Sequence, residues 1–329
     1  MENTGSREIF NSLIKKAGTI CIVGHMGPDG DSAGSVLGVY NYIKNVKGAE
    51  FSEEKIVPYL DDLSDKFAFL NGFDRLCMDD SPDIKYDLAI VCDCASYERP
   101  GRFRKYYENA GTSFLIDHHY TNEGFCDYYV VKPELSSASE VCWELFEEQY
   151  IDKNVAECIY TGIVHDTGVF RYSCTSETTM QIAGKCMTYG IDYNLIIDDS
   201  FFSMSLDQKR ALGYVLGKLE TVFDGKLIYS TIDRKTMNEF GVNAKDMDGI
   251  IDQMRTTRGA VVAIFIYEKL EGGHKVSMRS NSDNVDVSRV ALNFGGGGHR
   301  RAAGCNAGKD LKTDLKKIIE QLGEQINAL

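Results

Sequence analysis

Long hydrophobic runs are missing from this 329-residue chain. The longest, Ala260 to Tyr267, falls far short of the about 20 apolar residues a membrane-spanning helix needs, so no span is expected. Met1 to Ser6 has neither a basic segment nor an apolar one, and no signal peptide is expected. The ten cysteines form no C-x-x-C pair, which excludes the usual redox and zinc signatures and points to free thiols in a reducing cytoplasm. Cys92-Asp93-Cys94 offers two thiols, but they lie in an apolar run where cysteine packs as a small hydrophobe. A phosphate-binding Walker loop is lacking too, because Gly30 to Ser35 contains no lysine. Low-complexity tracts and internal repeats are absent. What remains, 43% hydrophobic and 26% charged, is the composition of a soluble chain long enough for two domains.

Positive charge is scarce overall, with a net charge of −13, yet it is unevenly placed. From Lys226 onward there are 16 Lys and Arg against 13 Asp and Glu, a balance of +3; the first 225 residues carry 20 against 36, a balance of −16. The acidic part suits bound cations, which would invert its local field. The basic part suits an anion but is too weakly charged for long duplex DNA, which is not expected as a partner.

Short apolar runs alternate with helical patterns, so an α/β fold is expected, with a parallel sheet in the first part and a smaller α/β domain behind it. Strands are expected at Thr19–Gly24, Ile56–Leu60, Asp87–Cys92, Ser113–Ile116 and Tyr128–Val131. Helices are expected at Ser32–Val46, capped by Asp31 or Ser32, and roughly at Ser137–Gln149, Asn154–His165 and Ser176–Tyr189. Residues 192–225 read as a helical connector without strand signal, dividing a domain at 1–191 from one at 226–329. In the latter, strands are expected at Leu227–Ile232, Ala260–Tyr267 and Lys275–Arg279, and helices at Val285–Asn293 and Leu311–Ile326.

Acids recur at the ends of the expected strands. His25-Met26-Gly27-Pro28-Asp29-Gly30-Asp31 follows the first strand, Asp93 the third, and Asp117-His118-His119 the fourth. Asp166 adds a further carboxylate beside His165. Sites in open α/β sheets form beyond the carboxyl ends of strands. One such acid is commonly a turn or a helix cap. Three parallel strands all ending in Asp or His leave unpaired carboxylates whose burial is costly, and metal ions are the simplest relief. The mixture of carboxylate and imidazole without thiolate suits manganese, and tolerates magnesium, cobalt or zinc.

In this order, His25-x-x-x-Asp29-x-Asp31, Asp93, Asp117-His118-His119 and His165-Asp166-Thr167-Gly168 resemble the four motifs of the DHH phosphoesterases. The tail Gly295-Gly296-Gly297-Gly298-His299-Arg300-Arg301-Ala302-Ala303-Gly304, with Ser277-Met278-Arg279-Ser280, resembles the DHH-associated C-terminal domain of the nanoRNase/pAp phosphatase branch. The resemblance implies two divalent metal ions. His25, Asp29 and Asp93 would hold one, and Asp31, Asp93, His118 and Asp166 the other, with Asp93 shared. It implies that Asp117 supports the ligating histidine and that His119 contacts phosphate or gives a proton. Arg279, Ser280, Gly296, Gly297, Gly298, His299, Arg300 and Arg301 would contact substrate, while Arg255 and Arg258 also suit helix-end solvation. No role is implied for His165. HD-type phosphohydrolases share the His165-Asp166 dyad, but they are predominantly helical.

The implied activity is two-metal hydrolysis of short oligoribonucleotides, two to five nucleotides long, to mononucleotides, with 3′-phosphoadenosine 5′-phosphate as a further substrate. Cleavage of cyclic di-AMP or its linear product pApA is the alternative, and a catalytically silent nucleotide- or RNA-binding module is the alternative of another class. Pyrophosphatases and exopolyphosphatases share the metal motifs but not the Gly-Gly-Gly-His tail. The partner is then a short RNA, dinucleotide or nucleotide, with no membrane; a homodimer stays open.

Overall fold

The computed structural model describes residues 3–81, 83–247 and 249–329. It divides into two units, one ending at Ser203 and one beginning at Met204.

The first unit is built on a parallel five-stranded sheet: β1 (Ile20–Val23), β2 (Ile56–Tyr59), β3 (Leu88–Cys92), β4 (Thr112–Asp117) and β5 (Tyr128–Val131), in the order β2-β1-β3-β4-β5. Its helices are α1 (Asn3–Lys16), α2 (Gly30–Lys47), α3 (Arg104–Glu108), α4 (Ala138–Leu145), α5 (Lys153–Asp166), α6 (Glu177–Met187) and α7 (Tyr193–Ile197). Strand side chains alternate between two faces. Ile20, Ile22, Ile90, Cys92 and Ile116 pack into one apolar cluster; Cys21, Val23, Ala89, Val91 and Leu115 pack into another. Burial on both faces explains why these strands read as continuous apolar runs.

The order reverses beside β1: β2 lies on one side of it and β3 on the other. Such a switch opens a crevice at the carboxyl ends of the strands. His25 and Asp93 leave β1 and β3 at that point. The helix after β1 begins at Gly30, earlier than expected, because Asp29 is its cap: the Asp29 carboxylate accepts from the Asp31 and Ser32 amides, both at 3.1 Å. Asp31, expected as cap or turn, is freed for another task.

The second unit holds a six-stranded sheet in the order β10-β11-β9-β8-β7-β6. Its strands are β6 (Glu220–Val222), β7 (Leu227–Ile232), β8 (Val262–Glu268), β9 (His274–Ser280), β10 (Gly297–His299) and β11 (Ala302–Ala307). Among the described residues of this sheet, β7 and β8 run parallel and the other neighbouring pairs antiparallel. Its helices are α8 (Leu206–Gly217), α9 (Arg234–Phe240), α10 (Ile250–Arg255), α11 (Val287–Leu292) and α12 (Leu311–Ile326). The expected connector at 192–225 is shared out: α7 and a π turn at Asp198–Phe202 fall in the first unit, α8 and β6 in the second. A strand at β6 corrects the expectation of none. Among the described residues, no helix is long and apolar enough to cross a membrane.

Candidate metal centre

Four segments of the first unit converge at the carboxyl ends of β1, β3 and β4: residues 25–31, the residues after β3 and after β4, and the end of α5. They bring His25, Asp29, Asp31, Asp93, His118 and Asp166 together. His25 Nε2 lies 3.3 Å from Asp93 Oδ2 and 3.7 Å from Asp29 Oδ1. His118 Nε2 lies 3.2 Å from Asp166 Oδ2, 3.8 Å from Asp93 Oδ1 and 4.0 Å from Asp31 Oδ2. Two triads have donor atoms within 4.8 Å of one another, His25–Asp29–Asp93 and Asp31–His118–Asp166; Asp93 also forms such a group with His118 and His119. Asp93 thus borders both halves. Its backbone stands at φ 54, a left-handed conformation that asparagine and aspartate tolerate better than other side chains.

Helix geometry aims the remaining acids. Asp31 is fully buried, and its carboxylate accepts the Ala138 amide at 2.6 Å and the Ser139 amide at 2.9 Å, both in the first turn of α4. Gly162 on α5 makes this possible, since a Cβ there would sit 2.6 Å from Asp31 Oδ1. Asp166 closes α5 and is followed by Gly168, Val169 and Phe170, all with positive φ. For β-branched Val169 that is a strained conformation.

The electrostatics separate these acids into two kinds. Burial, and then the Asp31 charge, pushes Asp93 up to about 8. Burial and neighbouring carboxylates likewise raise Asp31 and Asp166 above the usual range. Burial opposes charge on His25 as well, yet its contacts to Asp29 and Asp93 lift it to about 10. Asp117 goes the other way: although burial works against it, hydrogen bonds from His119 and Asn122 hold its carboxyl low. Asp117 therefore has its donors within the protein. Asp31, Asp93 and Asp166 crowd like charges that only cations or protons relieve. A donor set of oxygen and nitrogen without sulfur fits hard or borderline divalent ions.

One expectation needs correction here. Asp117 was expected to support the ligating histidine, but its Oδ1 bonds His119 Nδ1 at 2.8 Å, and it makes no such bond to His118. The two imidazoles lie side by side beyond the end of β4, with ring centroids 4.7 Å apart, and it is His119 that turns its Nδ1 to Asp117. His118 instead meets the backbone of Leu135. The sequence reading also overlooked Asn122, whose Nδ2 lies 2.7 Å from Asp117 Oδ2. His165 now has a place in the packing. Its ring contacts Phe67 and Phe201, its Nε2 meets Ser200 Oγ at 3.0 Å, and burial depresses it to about 3.

The eight residues expected to touch substrate all lie in the second unit. Arg279 projects from β9 on the same face as Lys275 and Ser277, and its Nε lies 3.3 Å from Asp252 Oδ1. Arg255 binds that carboxylate too, at 3.2 Å. Arg301 pairs with Asp283 at 2.7 Å, and Arg300 donates to the Asp283 carbonyl at 3.0 Å. Ser280 is a correction: it is buried, its hydroxyl donates to the Ser282 carbonyl, and it is not free for a ligand. The glycines are a second one. Gly297 and Gly298 belong to β10, which continues to His299 and pairs with β11. A Cβ at Gly296 would lie 2.1 Å from the Gly304 carbonyl, and one at Gly298 2.5 Å from that of Ala302. The close approach they allow is to the protein's own strand; a Cβ at Gly297 meets nothing within 4 Å.

Comparison with known proteins agrees with this division. Residues 19–163 match the model of the DHH family N-terminal domain, and residues 224–328 match the DHHA1 domain. The bifunctional oligoribonuclease and PAP phosphatase NrnA of Thermus thermophilus is 28% identical over 318 residues, which cover 94% of this chain and 90% of that protein. The protein of the same name from Bacillus subtilis is 26% identical over 293 residues, covering 88% and 89%. Among solved structures, an exopolyphosphatase-related protein from Bacteroides fragilis superposes with a TM-score of 0.89 at 25% identity, covering 98% of this chain and 96% of that one.

Proposed function

Because the chain belongs to the DHH family and carries a DHHA1 domain behind its DHH domain, we propose that it hydrolyses phosphoesters in very short oligoribonucleotides, releasing mononucleotides, and that it also dephosphorylates 3′-phosphoadenosine 5′-phosphate. The observation that carries this reading is the pair of adjacent triads, His25–Asp29–Asp93 and Asp31–His118–Asp166, with buried Asp93 of the first 3.8 Å from His118 of the second. His25, Asp29 and Asp93 would hold one divalent ion, and Asp31, Asp93, His118 and Asp166 a second. Manganese is the first candidate, with magnesium, cobalt or zinc as alternatives. Ions so held polarise a phosphoryl oxygen and lower the pKa of water.

The chain's own groups then do the positioning. The first turn of α4 fixes Asp31 through two amides, so its carboxylate cannot swing away when the centre is loaded. Asp117 holds His119 by Nδ1, which leaves Nε2 to meet a phosphate oxygen or to give a proton to the departing hydroxyl. In the second unit we assign Arg279, His299, Arg300 and Arg301 to substrate contact. Each arginine must exchange a partner it already has, Asp252 or Asp283, for phosphate. Ten free thiols suit a cytoplasmic setting.

Turnover of a panel under manganese tests this: diadenylate, a five-nucleotide RNA, cyclic di-AMP, 3′-phosphoadenosine 5′-phosphate and pyrophosphate. Diadenylate is expected to give AMP. Cleavage of cyclic di-AMP in preference would move the assignment to cyclic dinucleotides. Cleavage of pyrophosphate alone would overturn it, as would no turnover of any compound.

A further inference from the structure

Asn122 lies five residues beyond Asp117, and its amide is fully engaged. Nδ2 donates to Asp117 Oδ2 at 2.7 Å and to the Cys94 carbonyl at 2.8 Å, while Oδ1 accepts the Gly124 amide at 2.9 Å. Its own backbone amide donates to the His119 carbonyl at 3.1 Å. This pattern fixes which way the amide points, because a flipped group would set its oxygen against two acceptors. Asn122 therefore ties the loop after β3, which carries Asp93, to the loop after β4, which carries the histidines.

The consequence falls on Asp117. Its backbone is held by the sheet, since its carbonyl accepts the Lys132 amide at 3.0 Å. What the sheet does not hold is the rotation of the carboxylate. That plane is set by one donor on each oxygen: Asn122 Nδ2 on Oδ2 and His119 Nδ1 on Oδ1. A carboxylate with both oxygens so engaged keeps the hydrogen of His119 on Nδ1. The ring is 28% exposed, and Nε2 is the nitrogen left to face a ligand.

We propose that Asn122 is a positioning residue for the reaction: by locking Asp117 it holds His119 with Nε2 turned to the leaving oxygen of the phosphoester. The inference rests on the phosphoesterase reading above. In the step concerned, the phosphorus–oxygen bond to the leaving group breaks as water oxygen bonds to phosphorus. The proton on His119 Nε2 passes to the leaving oxygen, and the proton lost by the attacking water passes to solvent.

The test compares two substrates that differ in their need for that proton. Diadenylate expels a ribose hydroxyl, which must be protonated as it leaves. Thymidine 5′-(p-nitrophenyl phosphate) expels a phenolate, which need not be. Asn122→Ala is expected to lower kcat on diadenylate by about 10²-fold, the scale of general acid assistance, with KM changed less than about twofold. On the nitrophenyl ester the loss should stay under about threefold. His119→Ala should discriminate in the same sense, and the double variant should lose no more than His119→Ala alone. Should Asn122→Ala fail to fold, Asn122→Asp keeps the shape and the acceptor for Gly124 while removing the donor to Asp117, and the same pattern is expected. Equal losses on the two substrates, or losses that multiply in the double variant, would overturn this inference alone. A wild type inactive on both would overturn the phosphoesterase reading and this inference with it.

Discussion

The two units handle charge in opposite ways. In the first, Asp31, Asp93 and Asp166 are drawn together inside the protein, and burial and the charges of neighbouring carboxylates push their carboxyl groups up. In the second, Arg279 and Arg301 lie nearer the surface and already have acid partners. Buried like charges are costly until a counter-ion arrives, whereas exposed ion pairs contribute little either way. One unit is thus built to demand a cation, and the other to exchange one anion for another at small cost. Binding and turnover should depend steeply on the first and gently on the second.

Breaking the shared carboxylate should have the largest effect. Asp93→Asn removes the group that borders both triads, and turnover of diadenylate under saturating manganese should fall by about 10³-fold or more, the scale of several kcal/mol of lost charge stabilisation. A loss under tenfold would mean that the two triads do not act as one centre. His119→Ala comes next, with kcat on diadenylate down by about 10²- to 10⁴-fold and metal content unchanged. A variant that loses its metal instead would make His119 a ligand, as its nearness to Asp93 and His118 allows.

Arg279→Ala sharpens the comparison from the other side. A hydrogen bond to a charged group contributes about 1.5–3 kcal/mol, but this arginine must first leave Asp252, so KM should rise about tenfold with kcat little changed. A fall in kcat of the same size as in Asp93→Asn would erase the distinction between the units.

The smallest effect is on stability. The folded protein binds a proton at Asp93 more tightly than the unfolded chain does, because its carboxyl is raised from 3.8 to about 8. Metal-free protein should therefore be most stable with this group protonated and should lose stability as pH climbs through that window. Thermal unfolding of chelated protein between pH 5 and about pH 8 should show a falling midpoint, flattened in Asp93→Asn and reversed by manganese. A midpoint indifferent to both would contradict the charge crowding.

Much of the centre could be read from sequence because a carboxylate ending a fully apolar strand has few structural explanations. His25, Asp93 and Asp117 sit where β1, β3 and β4 end, and their meeting follows from strand order. What sequence did not reveal is who bonds whom. Asp31 meeting the first turn of α4 depends on Gly162, 131 residues away, making room for it. The Asp117–His119 pairing and the Asn122 contact are set by the turn that follows β4, whose shape the residue spacing does not define. In the second unit β10 and β11 escaped notice because glycine and alanine have low strand propensity. Their run reads as a flexible or ligand-binding loop, while the fold uses it as a hairpin.

The most direct test of the account is a manganese titration of the metal-free protein, with bound metal and diadenylate hydrolysis followed in the same samples. The account predicts two ions per chain, activity that appears with the second, and loss of both binding and turnover in Asp93→Asn. One ion at full activity, or hydrolysis that persists in the chelated protein, would contradict it.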